Sequence, residues 1–213
     1  MTDESVFEKV GELKIIPVLA VEETEKALPL VEALSKGGLP LAEVAFRTDA
    51  AAEAMRAIRE NFPDMLLGAG TVLTPEQARL AKQSGADFAV APGMNPDVVR
   101  AAMAAGLPLA PGIMTPTDLD AALRLDMRVI KYFPAEAAGG LKLIKSIAAP
   151  FRHLGVKFIP TGGINEDNLK SYLSDDIVLA VGGTWLAKKD DISEGRWDQI
   201  VERCRRAVGI VKG

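Results

Sequence analysis

Short apolar, β-branched runs alternate along this chain with longer amphipathic segments in which Ala, Leu and Glu recur at helical spacing. The apolar runs predict strands over residues 15–20, 41–46, 65–70, 88–91, 107–110, 129–133, 157–160 and 178–181. Between and after them the pattern predicts helices over 24–36, 49–61, 75–84, 96–105, 116–125, 141–149, 166–173 and 197–211, preceded by an amphipathic lead-in at 3–13. Several helix starts carry their own chemistry. Thr74-Pro75, Asn95-Pro96 and Thr115-Pro116 each pair an N-capping side chain with proline at the first helical position. Glycines after Lys36, Ser84 and Ala105 mark helix ends. Pro29 falls inside the first long helical pattern and is expected to kink it.

Eight strand–helix units in succession with short connections predict an α/β fold with a parallel sheet, and eight is the number that closes into a (β/α)8 TIM barrel. The expected architecture is one single-domain barrel over residues 1–213 with an N-terminal helix. An open doubly wound sheet is the alternative, but no Gly-x-Gly-x-x-Gly turn follows the first strand and no long linker divides the chain. In a barrel of this kind the site lies at the C-terminal ends of the strands.

Composition narrows the partners. The chain has 213 residues, 48% hydrophobic and 25% charged, with a formal net charge of -4, so it lacks the basic footprint of a nucleic-acid binder. No apolar run reaches membrane-spanning length, and the acidic N-terminus lacks the pattern of a secretory signal, so a cytoplasmic location and no membrane association are expected. Cys204 is the single cysteine, which excludes an internal disulfide; it reads as a helix residue, with a reactive thiol beside Arg203 and Arg205 as the alternative. His153, the single histidine, is assigned to the surface at the end opposite the expected site. With no His or Cys cluster, no metal site is expected.

The predicted sixth strand carries a cation, Lys131, near its end. A strand buried on both faces should be nearly all apolar, and an ammonium there is costly unless it is paired, reaches water or sheds its proton. A neutral amine at a barrel mouth is the nucleophile for Schiff-base chemistry; a lysine snorkelling to solvent is the bland alternative. On the second strand, alternation puts Glu43, Ala45 and Arg47 on one face and Val44 and Phe46 on the other. The polar set would face inward, with Glu43 and Arg47 separated by about 13 Å along the strand. Glu43 is then either a proton-transfer group or the structural partner of a cation such as Lys131. Thr71 offers a hydroxyl after the small residues Gly68, Ala69 and Gly70, while Pro92 and Pro111 shape the mouth after the next two strands. Thr161-Gly162-Gly163 and Gly182-Gly183-Thr184 put glycine pairs after the last two strands, where barrels often bind phosphate through exposed N–H groups. Glu136 is assigned to a loop or cap, with assistance to proton transfer as the alternative.

These stretches together resemble the bacterial 2-keto-3-deoxy-6-phosphogluconate (KDPG) and 4-hydroxy-2-oxoglutarate (KHG) aldolases, class I aldolases of the Entner-Doudoroff pathway. The resemblance spans nearly the whole chain and is carried by Pro17-Val18, Glu43 to Thr48, Gly68 to Leu73, Lys131-Tyr132-Phe133-Pro134-Ala135-Glu136, Pro160 to Ile164 and Gly182 to Leu186. It implies that Lys131 forms the Schiff base, that Glu43 is the general acid/base, and that Arg47 and Thr71 hold the pyruvate carboxylate. It further implies substrate contacts from Pro92, Phe133 and Thr161, phosphate contacts near Gly162, Gly163, Gly183 and Thr184, no cofactor, and a homotrimer. Tyr132 and Thr184 stand where many relatives carry Phe and Ser. Members acting on the galactonate epimer or on KHG share these motifs. A phosphosugar isomerase or synthase, or a non-catalytic phosphometabolite-binding barrel, would use the same scaffold without an imine.

Overall fold

The computed structural model describes residues 5–213, so residues 3 and 4 of the predicted lead-in lie outside the described residues. Its strands are β1 (Ile15–Leu19), β2 (Leu41–Ala45), β3 (Leu66–Gly70), β4 (Phe88–Val90), β5 (Leu109–Ala110), β6 (Gly112–Ile113), β7 (Val129–Tyr132), β8 (Lys157–Pro160) and β9 (Val181–Gly183). The helices are α1 (Ser5–Leu13), α2 (Ala27–Lys36), α3 (Ala51–Asn61), α4 (Pro75–Gln83), α5 (Pro96–Ala104), α6 (Pro116–Leu123), α7 (Gly140–Ala148), α8 (Glu166–Leu173), α9 (Lys189–Ser193) and α10 (Trp197–Lys212).

All ladders are parallel, in the orders β5-β4-β3-β2-β1-β9 and β6-β7-β8. β5 and β6 are two halves of one strand, split at Pro111, which has no N–H to give to a ladder. Its carbonyl still accepts the Lys131 N–H at 2.9 Å. The ring closes between β8 and β9 through single bridges at Phe158–Val178 and Thr161–Gly182. The result is a (β/α)8 barrel.

Three expectations are corrected. Pro29 kinks nothing, because a 3-10 turn at Thr24–Lys26 precedes α2 and leaves Pro29 in its first turn, where a missing N–H costs no intrahelical bond. The last strand lies later than predicted, at Val181–Gly183, so Gly182 and Gly183 pair with Ile16 and Pro17 and belong to the sheet. A Cβ on Gly182 would stand 2.4 Å from Thr161 Oγ1, so the close approach of the closing strands excludes a side chain there. The short α9 also breaks the stretch before α10, which the sequence left without an element. The predicted caps form: Thr74, Asn95 and Thr115 accept from Gln77, Asp97 and Asp118 N–H groups at 3.2, 3.0 and 3.2 Å.

Inside the barrel the side chains stand in layers. Ile16, Leu41, Phe88, Val90, Ala110 and Ile159 form a dry plug, which α1 seals with Phe7 and Val10. The Phe7 and Phe88 rings meet edge to face with centroids 5.8 Å apart. Because successive inward residues are two apart, Glu43, Lys131 and Thr161 stand one step beyond Leu41, Val129 and Ile159, toward the C-terminal mouth.

Candidate active site

Above the plug the polar layer opens into a cavity of about 400 Å³ lined by Glu43, Arg47, Thr71, Pro92, Lys131, Phe133, Thr161, Gly162, Gly163, Gly183 and Thr184, with Val18 and Ile164. All the site residues expected from the sequence therefore come together. Val18 and Ile164, part of the stretches that carry the resemblance, take no site role from the sequence because an apolar wall carries no chemical signal, although the inward phase of β1 places Val18 two residues beyond Ile16.

At the floor, Lys131 is 5% exposed and Glu43 1%. Lys131 Nζ lies 3.6 Å from Glu43 Oε1, close enough for strong attraction but longer than a hydrogen bond. Glu43 Oε1 and Thr161 Oγ1 are buried side-chain atoms with no hydrogen-bond partner. Buried polar atoms are usually satisfied, and these two, on the cavity lining, can bond a group that enters it. Glycine makes the room: a Cβ on Gly70 would be 2.3 Å from Glu43 Oε1, and one on Gly68 would be 2.4 Å from the Phe88 ring. The Phe133 ring covers Lys131 from the solvent side, its centroid 5.6 Å from Nζ.

Arg47 stands in the turn beyond β2, exposed and without an ion pair among the described residues, so its guanidinium is available to a carboxylate. Thr71 follows β3 with a φ of +56°, a left-handed backbone that costs a β-branched residue roughly 1–2 kcal/mol. Strain of this kind persists only where surrounding structure fixes it, and here it sits at the cavity rim.

Elsewhere on the cavity lining, Gly162 and Gly163 have φ of +101° and +79°. Their carbonyls accept from Glu136 N–H at 3.1 Å and Asn168 Nδ2 at 3.1 Å, while their own N–H groups have no acceptor among the described residues. Unpaired N–H groups in a tight turn form an anion cradle. Asn165 caps α8 just beyond, its Oδ1 accepting from Asp167 N–H and its own N–H donating to Asn168 Oδ1. Gly183 lies under the Trp185 ring, and Arg203 holds the following backbone by donating to Leu186 O at 2.7 Å and Trp185 O at 3.2 Å.

Three other residues resolve plainly. His153 is exposed in a 3-10 stretch before β8, at the far end of the barrel. Cys204 is buried on α10, and burial pushes its thiol up to about 12, against a smaller opposing effect of Arg203. Glu136 caps no helix; it accepts a hydrogen bond from the Tyr172 hydroxyl.

The family model for KDPG and KHG aldolases matches residues 6–203. The 2-dehydro-3-deoxy-phosphogluconate aldolase of Haemophilus influenzae is 44% identical over 99% of both chains. The crystal structure of KDPG aldolase from Legionella pneumophila, with pyruvate captured at low pH as a covalent carbinolamine intermediate, is 39% identical with a TM-score of 0.89, covering 95% of this chain and 96% of that one. The 2-keto-3-deoxy-6-phosphogluconate aldolase of Zymomonas mobilis, solved with 3-phosphoglycerate, is 37% identical with a TM-score of 0.86, covering 96% and 95%.

Proposed function

Because the chain belongs to the KDPG and KHG aldolase family, we infer that it is a class I aldolase that cleaves KDPG to pyruvate and glyceraldehyde 3-phosphate, the carbon–carbon cleavage of the Entner-Doudoroff pathway. The observation that carries this reading is the buried pair at the cavity floor: an amine and an unpartnered carboxylate oxygen 3.6 Å apart, beneath the free guanidinium of Arg47.

In this mechanism the amine of Lys131 attacks C2 of the keto acid, forming a carbinolamine. Glu43, as general acid, protonates the carbinolamine hydroxyl, and loss of water then gives a protonated imine, an electron sink for the C3–C4 bond. Glu43 takes the proton of the C4 hydroxyl, directly or through water. The C3–C4 bond then breaks, its electron pair forms the enamine, and the aldehyde leaves. Return of a proton to C3 and hydrolysis of the imine free pyruvate and Lys131. Arg47 and Thr71 hold the carboxylate, Thr161 supplies a hydroxyl to the reacting end, and Pro92 and Phe133 shape the wall. Gly162 and Gly163 receive the phosphoryl group through backbone N–H groups and Thr184 through its hydroxyl, while Gly183, held in the β9 ladder, lines the wall beside them. General acid/base help from a group such as Glu43 typically contributes about 10²–10⁴ in rate, so the imine supplies much of the remainder.

On this reading the enzyme works in solution in the cytoplasm as a homotrimer, as the family resemblance implies. Borohydride reduction in the presence of pyruvate, followed by mass mapping, tests the chemistry. An adduct on Lys131 is expected; reduction that leaves Lys131 unmodified overturns the imine.

A further inference from the structure

Behind the cavity, the loop after β7 and helix α8 are joined by two side chains with no part in the chemistry above. Tyr172 on α8 is 3% exposed, and its hydroxyl donates to Oε1 of Glu136 in the loop after Lys131. The stem of Glu136 lies directly beneath Gly163: a Cβ on Gly163 would come within 2.6 Å of Glu136 Cβ and 2.7 Å of its Cγ. The main chain repeats the attachment, with Ala135 N–H donating to Thr161 O at 2.8 Å and Glu136 N–H to Gly162 O at 3.1 Å. Gly140 closes the other side, where a Cβ would stand 3.2 Å from the Tyr172 hydroxyl and 3.3 Å from Glu136 Oε1.

We propose that Tyr172 is a positioning residue which, acting through Glu136, holds the Gly162–Gly163 turn in the shape that receives the substrate's phosphoryl group. The inference rests on reading that turn as the phosphate cradle. Two consecutive glycines leave a left-handed conformation at little cost, so the turn has no stiffness of its own and must be held from outside. Glu136 is what lies beneath it, and Glu136 is an exposed side chain on a loop, free to swing unless something fixes it. Tyr172, locked in the core on a capped helix, fixes it. Burial, then the bond to Glu136 and its charge, raise the Tyr172 hydroxyl above its ordinary range, so it stays a donor at neutral pH. Order imposed in advance on a binding turn appears as affinity, because the substrate no longer has to supply it. Lys131 is attached to the barrel floor by β7 pairings on both sides and does not depend on this contact.

Tyr172→Phe removes the hydroxyl and keeps the ring. The expected result is a rise of about three- to tenfold in KM for KDPG and in the inhibition constant of inorganic phosphate, with kcat unchanged. kcat/KM for KHG, which carries no phosphoryl group, and the borohydride-trapped pyruvate adduct should match wild type. Glu136→Ala, at an exposed position that leaves the core intact, should reproduce the loss, and Glu136→Gln, which keeps stem and acceptor, should largely restore wild-type values. Equal losses on both substrates, or a Tyr172→Phe enzyme that keeps the wild-type KM for KDPG, would overturn the positioning role. A wild type that is itself indifferent to the phosphoryl group overturns the cradle and this inference together; a wild type that prefers KDPG, with Tyr172→Phe keeping that preference, overturns this inference alone.

Discussion

Lys131 Nζ and Glu43 Oε1 face each other across 3.6 Å from strands that are not neighbours in the barrel, and neither atom is hydrogen-bonded to the other. A pair kept purely for structure would close to hydrogen-bond distance and satisfy the carboxylate, since a half-satisfied buried pair is poor stabilisation. The gap suits an amine that must bond to carbon and a carboxylate that must exchange protons with what arrives between them. Lys131→Met should abolish cleavage while leaving the fold intact; substantial residual aldolase activity would sink the imine. Glu43→Gln should slow turnover by about 10²–10⁴ yet still allow pyruvate to be trapped. Blocked trapping with undiminished turnover would show that Glu43 has another role.

Gly70 sets the position of that carboxylate. In Gly70→Ala the new methyl would stand 2.3 Å from Glu43 Oε1 and 2.8 Å from its Cγ, so the side chain must move. Displacement of a catalytic group by about 1 Å is enough for a loss of roughly 10²-fold, whereas moving one side chain into an open cavity costs little stability. The expected variant melts within a few degrees of wild type and has much reduced kcat. Thermal denaturation and steady-state rates on one preparation check both halves.

Asp191, buried between Arg196 and Arg203, ties α9 and α10 to the loop that carries Thr184. Burial alone would raise its carboxyl, but the hydrogen bonds and charges of the two arginines outweigh that and hold it below the usual range. A carboxyl depressed in the fold adds stability above its unfolded value of about 3.9, and that contribution is lost as pH falls through the folded value. Asp191→Asn should therefore melt lower than wild type at pH 7, with the difference shrinking as both are acidified below about pH 4. Arg203→Met leaves the carboxylate with less compensation and should cost about 3–5 kcal/mol at neutral pH, measured by urea unfolding.

Cys204 should be inert. With the thiol raised to about 12 and no exposed sulfur, a native sample treated with iodoacetamide at pH 8 should stay unlabelled, and one in denaturant should label fully. Rapid native labelling would show that α10 opens.

The sequence by itself determined the repeat and the inward set. Hydrophobic period, proline after a capping residue and glycine after a helix act between near neighbours, so the strand–helix units and the caps at Thr74, Asn95 and Thr115 are legible one segment at a time. Alternation along β2 likewise puts Glu43 and Arg47 on one face before any partner is known. Other features depend on residues distant in the chain. That Gly182 is a strand residue follows from Thr161 across the closing seam, and the spacing of Lys131 from Glu43 follows from barrel closure. The left-handed backbone of Thr71, the hold of Tyr172 on Glu136 and the harmless place of Pro29 have no local signature either. Each is fixed by how closely separate elements approach, a quantity that packing decides and that no single stretch of sequence contains.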